Sequence, residues 1–112
     1  MFLNLSDQNF EETIKKEKLI LVDFWAEWCS PCLILGSMLQ KVEEEYKEKI
    51  VFARANLDEN QIAAGKHNID RIPSLIIFKE GEPISGFLGL RPESDVREWL
   101  EKNIQSKENN GK

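Results

Sequence analysis

Residues 19–25, Leu-Ile-Leu-Val-Asp-Phe-Trp, form an apolar run broken by a single carboxylate. The run is too apolar to be half exposed, so as a strand it fits the centre of a sheet covered on both faces. Just beyond it, Trp28-Cys29-Ser30-Pro31-Cys32 holds the only two cysteines in the 112-residue chain. A Cys-x-x-Cys pair at the end of a strand can open and close as a disulfide without unfolding its surroundings. Redox chemistry is therefore the first reading of this pair.

The flanking segments supply the covering layers. Ser6-Asp7 reads as a helix N-cap ahead of Phe10, Ile14 and the Lys15-Lys16 pair. Leu35, Met38, Leu39, Val42 and Tyr46 recur at three- and four-residue spacing and predict a helix over 33–47. Residues 50–57 predict a second strand and 58–67 a further helix. Leu75-Ile76-Ile77-Phe78, just after Pro73, predicts a third strand. The turn Glu80-Gly81-Glu82 joins it to a fourth over 84–88, as a β-hairpin. Arg91-Pro92-Glu93-Ser94 opens a last helix with Val96, Trp99, Leu100 and Ile104 on one face. The predicted architecture is α/β, a central mixed sheet flanked by helices on both faces. One domain is expected over 1–106, with a polar, fraying tail over 107–112.

A net charge of −5 argues against nucleic acid as a partner, and weakly against an anionic membrane surface. No apolar stretch reaches the ~20 residues that span a bilayer. The first seven residues lack the basic start and apolar segment of a signal peptide, so the cytoplasm is the expected compartment; a monomer is expected. In that compartment a lone vicinal cysteine pair is more often catalytic or metal-binding than a structural staple.

The metal and haem alternatives lack ligands. A structural zinc site wants four, and the chain offers two cysteines and one histidine, His67. Haem attachment needs His directly after the second cysteine, where Leu33 stands. An iron–sulfur cluster needs more thiolates. An inert pair of buried thiols remains as the bland alternative, and Ser30-Pro31 between them speaks against it. If a helix begins near Cys29, its unpaired N–H groups and positive dipole end favour a thiolate there. Cys29 is then the nucleophile, and the more shielded Cys32 resolves the mixed disulfide. Pro31 suits a first helical turn. Asp23 lies either on an exposed strand face or buried beneath the cysteines. Buried, its pKa would be raised and it would accept the Cys32 proton. No G-x-G-x-x-G or other cofactor signature accompanies the pair, so no bound cofactor is expected beyond the dithiol.

Together these residues resemble the thioredoxin family. The resemblance is carried by Leu21-Val22-Asp23-Phe24-Trp25-Ala26-Glu27-Trp28-Cys29 with Cys32, and by Phe52-Ala53-Arg54-Ala55-Asn56-Leu57-Asp58. It continues through Ile72-Pro73-Ser74, Phe78-Lys79-Glu80-Gly81 and Gly89, spanning about residues 5–104. It implies the thioredoxin fold and reversible reduction of protein disulfides through Cys29 and Cys32. Recycling would come from a thioredoxin reductase that draws on NADPH. The resemblance also implies a cis Ile72–Pro73 bond beside the dithiol. Trp28, Ile72, Pro73 and Gly89 would form an apolar rim for substrate, and Trp25 would pack beneath the site. By itself Pro73 could simply start a strand, and Gly89 could be a bulge.

Four positions depart from the family pattern. Ser30 stands where glycine is usual, and its hydroxyl could donate to the Cys29 thiolate. Leu33 replaces a cation beside the dithiol and enlarges the apolar rim. Ser37 stands where a helix-kinking proline is usual. Arg54 replaces lysine near Asp23 and cannot deprotonate. His67 is expected as a solvated residue of a helix end, Glu43-Glu44-Glu45 as a charged helix face, and Glu27 at most tunes local charge. Three functions compete: a general disulfide reductase, a specialist serving one partner through Ser30 and Leu33, and a non-catalytic binding module using the apolar rim.

Overall fold

The computed structural model describes residues 2–109, with side chains over 2–105. The elements run β1 (Leu3–Leu5), α1 (Phe10–Lys16), β2 (Leu19–Trp25), α2 (Ser30–Tyr46) and β3 (Val51–Asn56). A 3-10 turn (Leu57–Glu59) follows, then α3 (Gln61–Lys66), β4 (Ser74–Lys79), β5 (Glu82–Leu88) and α4 (Glu93–Asn109). The strands form one mixed sheet in the order β1-β3-β2-β4-β5. β1, β3 and β2 run parallel, and β4 and β5 are antiparallel to their neighbours.

β2 behaves as its composition requires. Leu19 and Leu21 face one core, with Leu35 and Leu39 of α2 and Val96 and Leu100 of α4. Ile20, Val22 and Phe24 face the other, with Phe10 and Ile14 of α1 and Ala63 of α3. Five fully buried apolar side chains contribute roughly 1.5–3 kcal/mol each. Their sum outweighs the few kcal/mol that one buried carboxylate, Asp23, costs.

Several local expectations change. The three-residue β1 was not expected. It pairs with β3, Leu3 opposite Ala53 and Leu5 opposite Ala55, and is too short to show periodicity. Asn9, not Ser6-Asp7, occupies the N-cap position of α1. The Asp7 carboxylate instead accepts from the Ile62 and Ala63 N–H groups, at 3.0 and 2.9 Å, and so caps α3. The helix expected over 58–67 is split at Asn60, whose side-chain amide donates to the Leu5 and Asn56 carbonyls. His67 is not solvated. Its side chain is only 10% exposed and lies against the Phe10 and Phe78 rings, with Nε2 3.2 Å from Glu11. Glu43 likewise leaves the charged face and is buried. α4 extends to Asn109, so the expected tail over 107–112 overlaps it, and residues 110–112 lie outside the described residues.

The hairpin turns through Glu80 (φ 52°) and Gly81 (φ 89°), the two left-handed residues of a two-residue loop. Past it, β5 is clamped to α4. Trp99 stacks edge-on against Phe87 at 4.8 Å, and its Nε1 donates to Ser85 Oγ at 2.8 Å. Gly86 lets β5 lie close to β4, since a Cβ there would sit 2.7 Å from the Leu75 carbonyl oxygen.

A matched pair of substitutions tests this packing. Gly65 in α3 has nothing within 4 Å of a built Cβ. Gly65→Ala should therefore stabilise by up to ~1 kcal/mol through helix propensity. Gly86→Ala should destabilise by about 1–3 kcal/mol, because the obstructing atom is backbone. Urea unfolding measures both, and a shift of the same sign in the two variants would refute the close approach.

Candidate active site

α2 starts at Ser30, three residues earlier than its apolar periodicity indicates, and this places the cysteines at its N-terminus. Cys29 is the N-cap residue, and its Sγ accepts from the Cys32 N–H at 3.2 Å. The two cysteines are joined by a disulfide with their α-carbons 5.2 Å apart. Pro31 falls in the first turn, where a helix N–H has no intrahelical partner and its absence costs little. Ser30 and Pro31 are exposed, as is Leu33. The cysteines differ in access: Cys29 retains 7% exposure and Cys32 none.

Asp23 is fully buried, which removes the exposed-face alternative. It follows Leu21 on the sheet face that carries α2. Trp25, next along that face, packs against Cys29 and Cys32. Neither Asp23 oxygen hydrogen-bonds to a protein group. The nearest cation is Arg54, directly opposite on β3, with Nε 3.5 Å from Asp23 Oδ2. That distance makes an ion pair without a hydrogen bond. Burial pushes the Asp23 carboxyl up from 3.8 to about 6, against the opposing pull of Arg54. Arg54 also stacks on Trp25, with Cζ 4.0 Å from the ring centroid. No signal in the sequence announced that stack.

The predicted rim residues come from three loops. The Ile72–Pro73 bond is cis. Ile72 packs against Ala26, Cys29 and Cys32. Gly89, at φ 83°, donates its N–H to the Pro73 carbonyl at 2.8 Å and ties the end of β5 to the start of β4. Trp28 is 70% exposed. It shares one hollow of about 440 Å³ with Leu57, Ile69 and Ile72, and an adjoining one of about 430 Å³ with Gln61 and Ala64. Sequence reasoning did not assign Leu57 and Ile69 to this surface: Leu57 opens the 3-10 turn and Ile69 lies in an irregular segment, and no periodicity marks a face in either. Among the described residues no three His, Cys, Asp or Glu side chains are grouped as a metal site. No helix of the described residues is long and apolar enough to cross a membrane.

The raised Asp23 pKa makes stability depend on pH. Between pH 4 and 7 the folded protein holds a proton that the unfolded chain has released, so stability falls as pH rises through this window. At about 1.4 kcal/mol per pH unit, the loss above pH 7 amounts to about 3 kcal/mol. Asp23→Asn cannot ionise. It should exceed the parent by about 2–3 kcal/mol at pH 8 and by little at pH 4. Urea unfolding at the two pH values measures this, and a difference that does not change with pH would contradict it.

Comparison with known proteins agrees with this arrangement. The Thioredoxin family model matches residues 1–102. A thioredoxin of Buchnera aphidicola is 38% identical over 103 residues, covering 91% of this chain and 95% of that protein. A thioredoxin of Rickettsia bellii is also 38% identical, over 93% of this chain and the whole of its own length. Thioredoxin 2 of Chlorobaculum tepidum is 36% identical over 92% and 95% of the two chains. With the mixed sheet and the cysteine pair at the head of α2, these matches identify the chain as a member of the thioredoxin family, a dithiol–disulfide oxidoreductase whose redox group is Cys29–Cys32.

Proposed function

We propose that the two cysteines divide the reaction unequally and that Asp23 moves the proton between its steps. The observation that carries this reading is the difference in access, 7% exposure for Cys29 against none for Cys32. In the reduced protein the Cys29 thiolate attacks one sulfur of a substrate disulfide. The substrate S–S bond breaks, one substrate thiolate leaves, and a mixed disulfide forms on Cys29. Asp23 takes the Cys32 proton. The resulting thiolate attacks Cys29 Sγ, the Cys29–Cys32 bond forms and the second substrate thiolate leaves. Two electrons pass to the substrate. Its thiolates take up protons from Asp23 and solvent. Trp28, Ile72, Pro73 and Gly89 receive the substrate chain, Trp25 packs beneath the site, and Ser30, Pro31, Leu33 and Arg54 tune the dithiol.

The substrates in this reading are protein disulfides, and the acting domain is residues 1–106. A thioredoxin reductase using NADPH restores the dithiol, in the cytoplasm and with the protein as a monomer. Family membership supports the recycling partner. The second reading, a specialist serving one partner, draws on the apolar surface at the head of α2, where Leu33 is 47% and Ile34 57% exposed. Reduction of insulin disulfides, coupled to thioredoxin reductase and NADPH, separates the readings. Full coupling supports the general reductase. Cys29→Ser should abolish turnover, and Cys32→Ser should accumulate the mixed disulfide. Activity of Cys29→Ser equal to the parent's would end the assignment of roles.

Ser30 is exposed at the first position of α2, beside the sulfur that carries the charge in the reduced state. A hydroxyl donating to that thiolate stabilises the dithiol. At ~1.4 kcal/mol per ~30 mV, a single hydrogen bond moves the couple by tens of millivolts. Ser30→Gly should therefore be more reducing by up to ~30 mV on equilibration with glutathione. A potential equal to or above the parent's would remove Ser30 from the tuning residues.

A further inference from the structure

We infer that Gly36 is a positioning residue for the redox site: its bare α-carbon leaves the slot in which the Arg54 guanidinium lies against Trp25 and beside Asp23. Gly36 is buried on α2, one turn beyond Cys32 and on the same helix face. A Cβ at this position would stand 2.9 Å from Arg54 Nη2 and 3.4 Å from Cζ. The guanidinium is already committed on its other contacts, to Trp25 at 4.0 Å and to Asp23 at 3.5 Å. Glycine inside a helix is unfavourable relative to alanine. Here the close approach of Arg54 accounts for it.

The direction of the effect follows from what surrounds Arg54. Its solvent side opens on a hollow of about 460 Å³ lined by Phe2, Asn4, Gln40, Glu43 and Glu44. A methyl group at position 36 would push the guanidinium toward that hollow and its two glutamates, away from Asp23. Among the described residues, β3 offers Asp23 the one cation, Arg54, and β4 places uncharged Leu75 opposite it. α2 brings Cys32, which does not titrate as a disulfide, and Glu43 and Glu44 on the far side of Arg54. Loss of the cation leaves the Asp23 carboxylate without its counter-charge, so the carboxyl holds its proton to higher pH. Lysine at position 54 has no planar fork to meet the methyl group.

This inference deepens the reading of Asp23 as proton acceptor, and its test separates the two. The measurement is the pH titration of the Asp23 carboxyl carbon by NMR in the disulfide form. Four proteins are compared: the parent, Gly36→Ala, Arg54→Lys and the double variant. Gly36→Ala should raise the titration midpoint by about 0.5 pH unit or more. In the Arg54→Lys background the same substitution should move it little. An unchanged midpoint in Gly36→Ala, or an equal shift in both backgrounds, overturns the inference. A merely structural role predicts only the stabilisation usual for alanine in a helix, with no change in titration. Should Gly36→Ala fold poorly, recovery of folding in the double variant supports the slot, and failure to recover overturns it. The pH dependence of insulin reduction by Gly36→Ala is read alongside. If the titration moves and the pH–rate profile does not, the positioning role stands and the proton-acceptor role falls.

Discussion

β2 is paired on both edges and covered on both faces, and the redox site hangs from it. Its buried side chains feed two separate cores, so β2 cannot shift register without exposing one and crowding the other. The strand ends at Trp25, and the chain needs only four more residues to reach Ser30 and start α2. The N-terminus of that helix is thereby held against the sheet, and the dithiol sits at a fixed point where the Cys32 N–H meets Cys29 Sγ. The same strand carries Asp23 into the interior on the side that faces α2. Rigid support beneath and an open approach above are what a thiol–disulfide exchange site requires.

The electrostatics of this site differ in kind from those of the surface. Arg97 pairs with Glu45 and Glu93, where solvent screens the interaction. Asp23 has no such screening. Desolvation outweighs the attraction of Arg54, so the carboxyl titrates at about 6 instead of near 4. A group poised there can accept a proton and release it at ordinary pH, which a surface aspartate cannot do. Ionisation of this buried carboxyl lowers stability above pH 7. Arg54 limits the cost, and its position rests on the stack with Trp25 and the space left by Gly36, on two different elements.

What was legible in the sequence is what local pattern encodes. The apolar run at 19–25 announced a doubly covered strand, the apolar spacing of 35–46 announced α2, and Glu80-Gly81 announced the hairpin turn. Two cysteines with one histidine, and Leu33 after the second cysteine, favoured a dithiol over a metal or haem site. Contacts between distant segments were not legible. β1 exists because β3 offers it an edge. Asp7 caps a helix more than fifty residues away. His67 packs against two phenylalanines from other elements, and Arg54 stacks on a tryptophan of the neighbouring strand. The Gly89–Pro73 hydrogen bond closes the rim across β4 and β5. In each case the residue type was compatible with several environments, and tertiary packing selected one.

The central claim is that one cysteine attacks while its partner stays shielded until the mixed disulfide has formed. Alkylation of the reduced protein with iodoacetamide at pH 6–7, mapped by peptide mass spectrometry, tests it most directly. The account predicts rapid modification confined to Cys29, with an apparent thiol pKa below the ordinary value of about 8.5, and protection of Cys32. Modification of Cys32 at a comparable rate, or of Cys29 with an unshifted pKa, would contradict it.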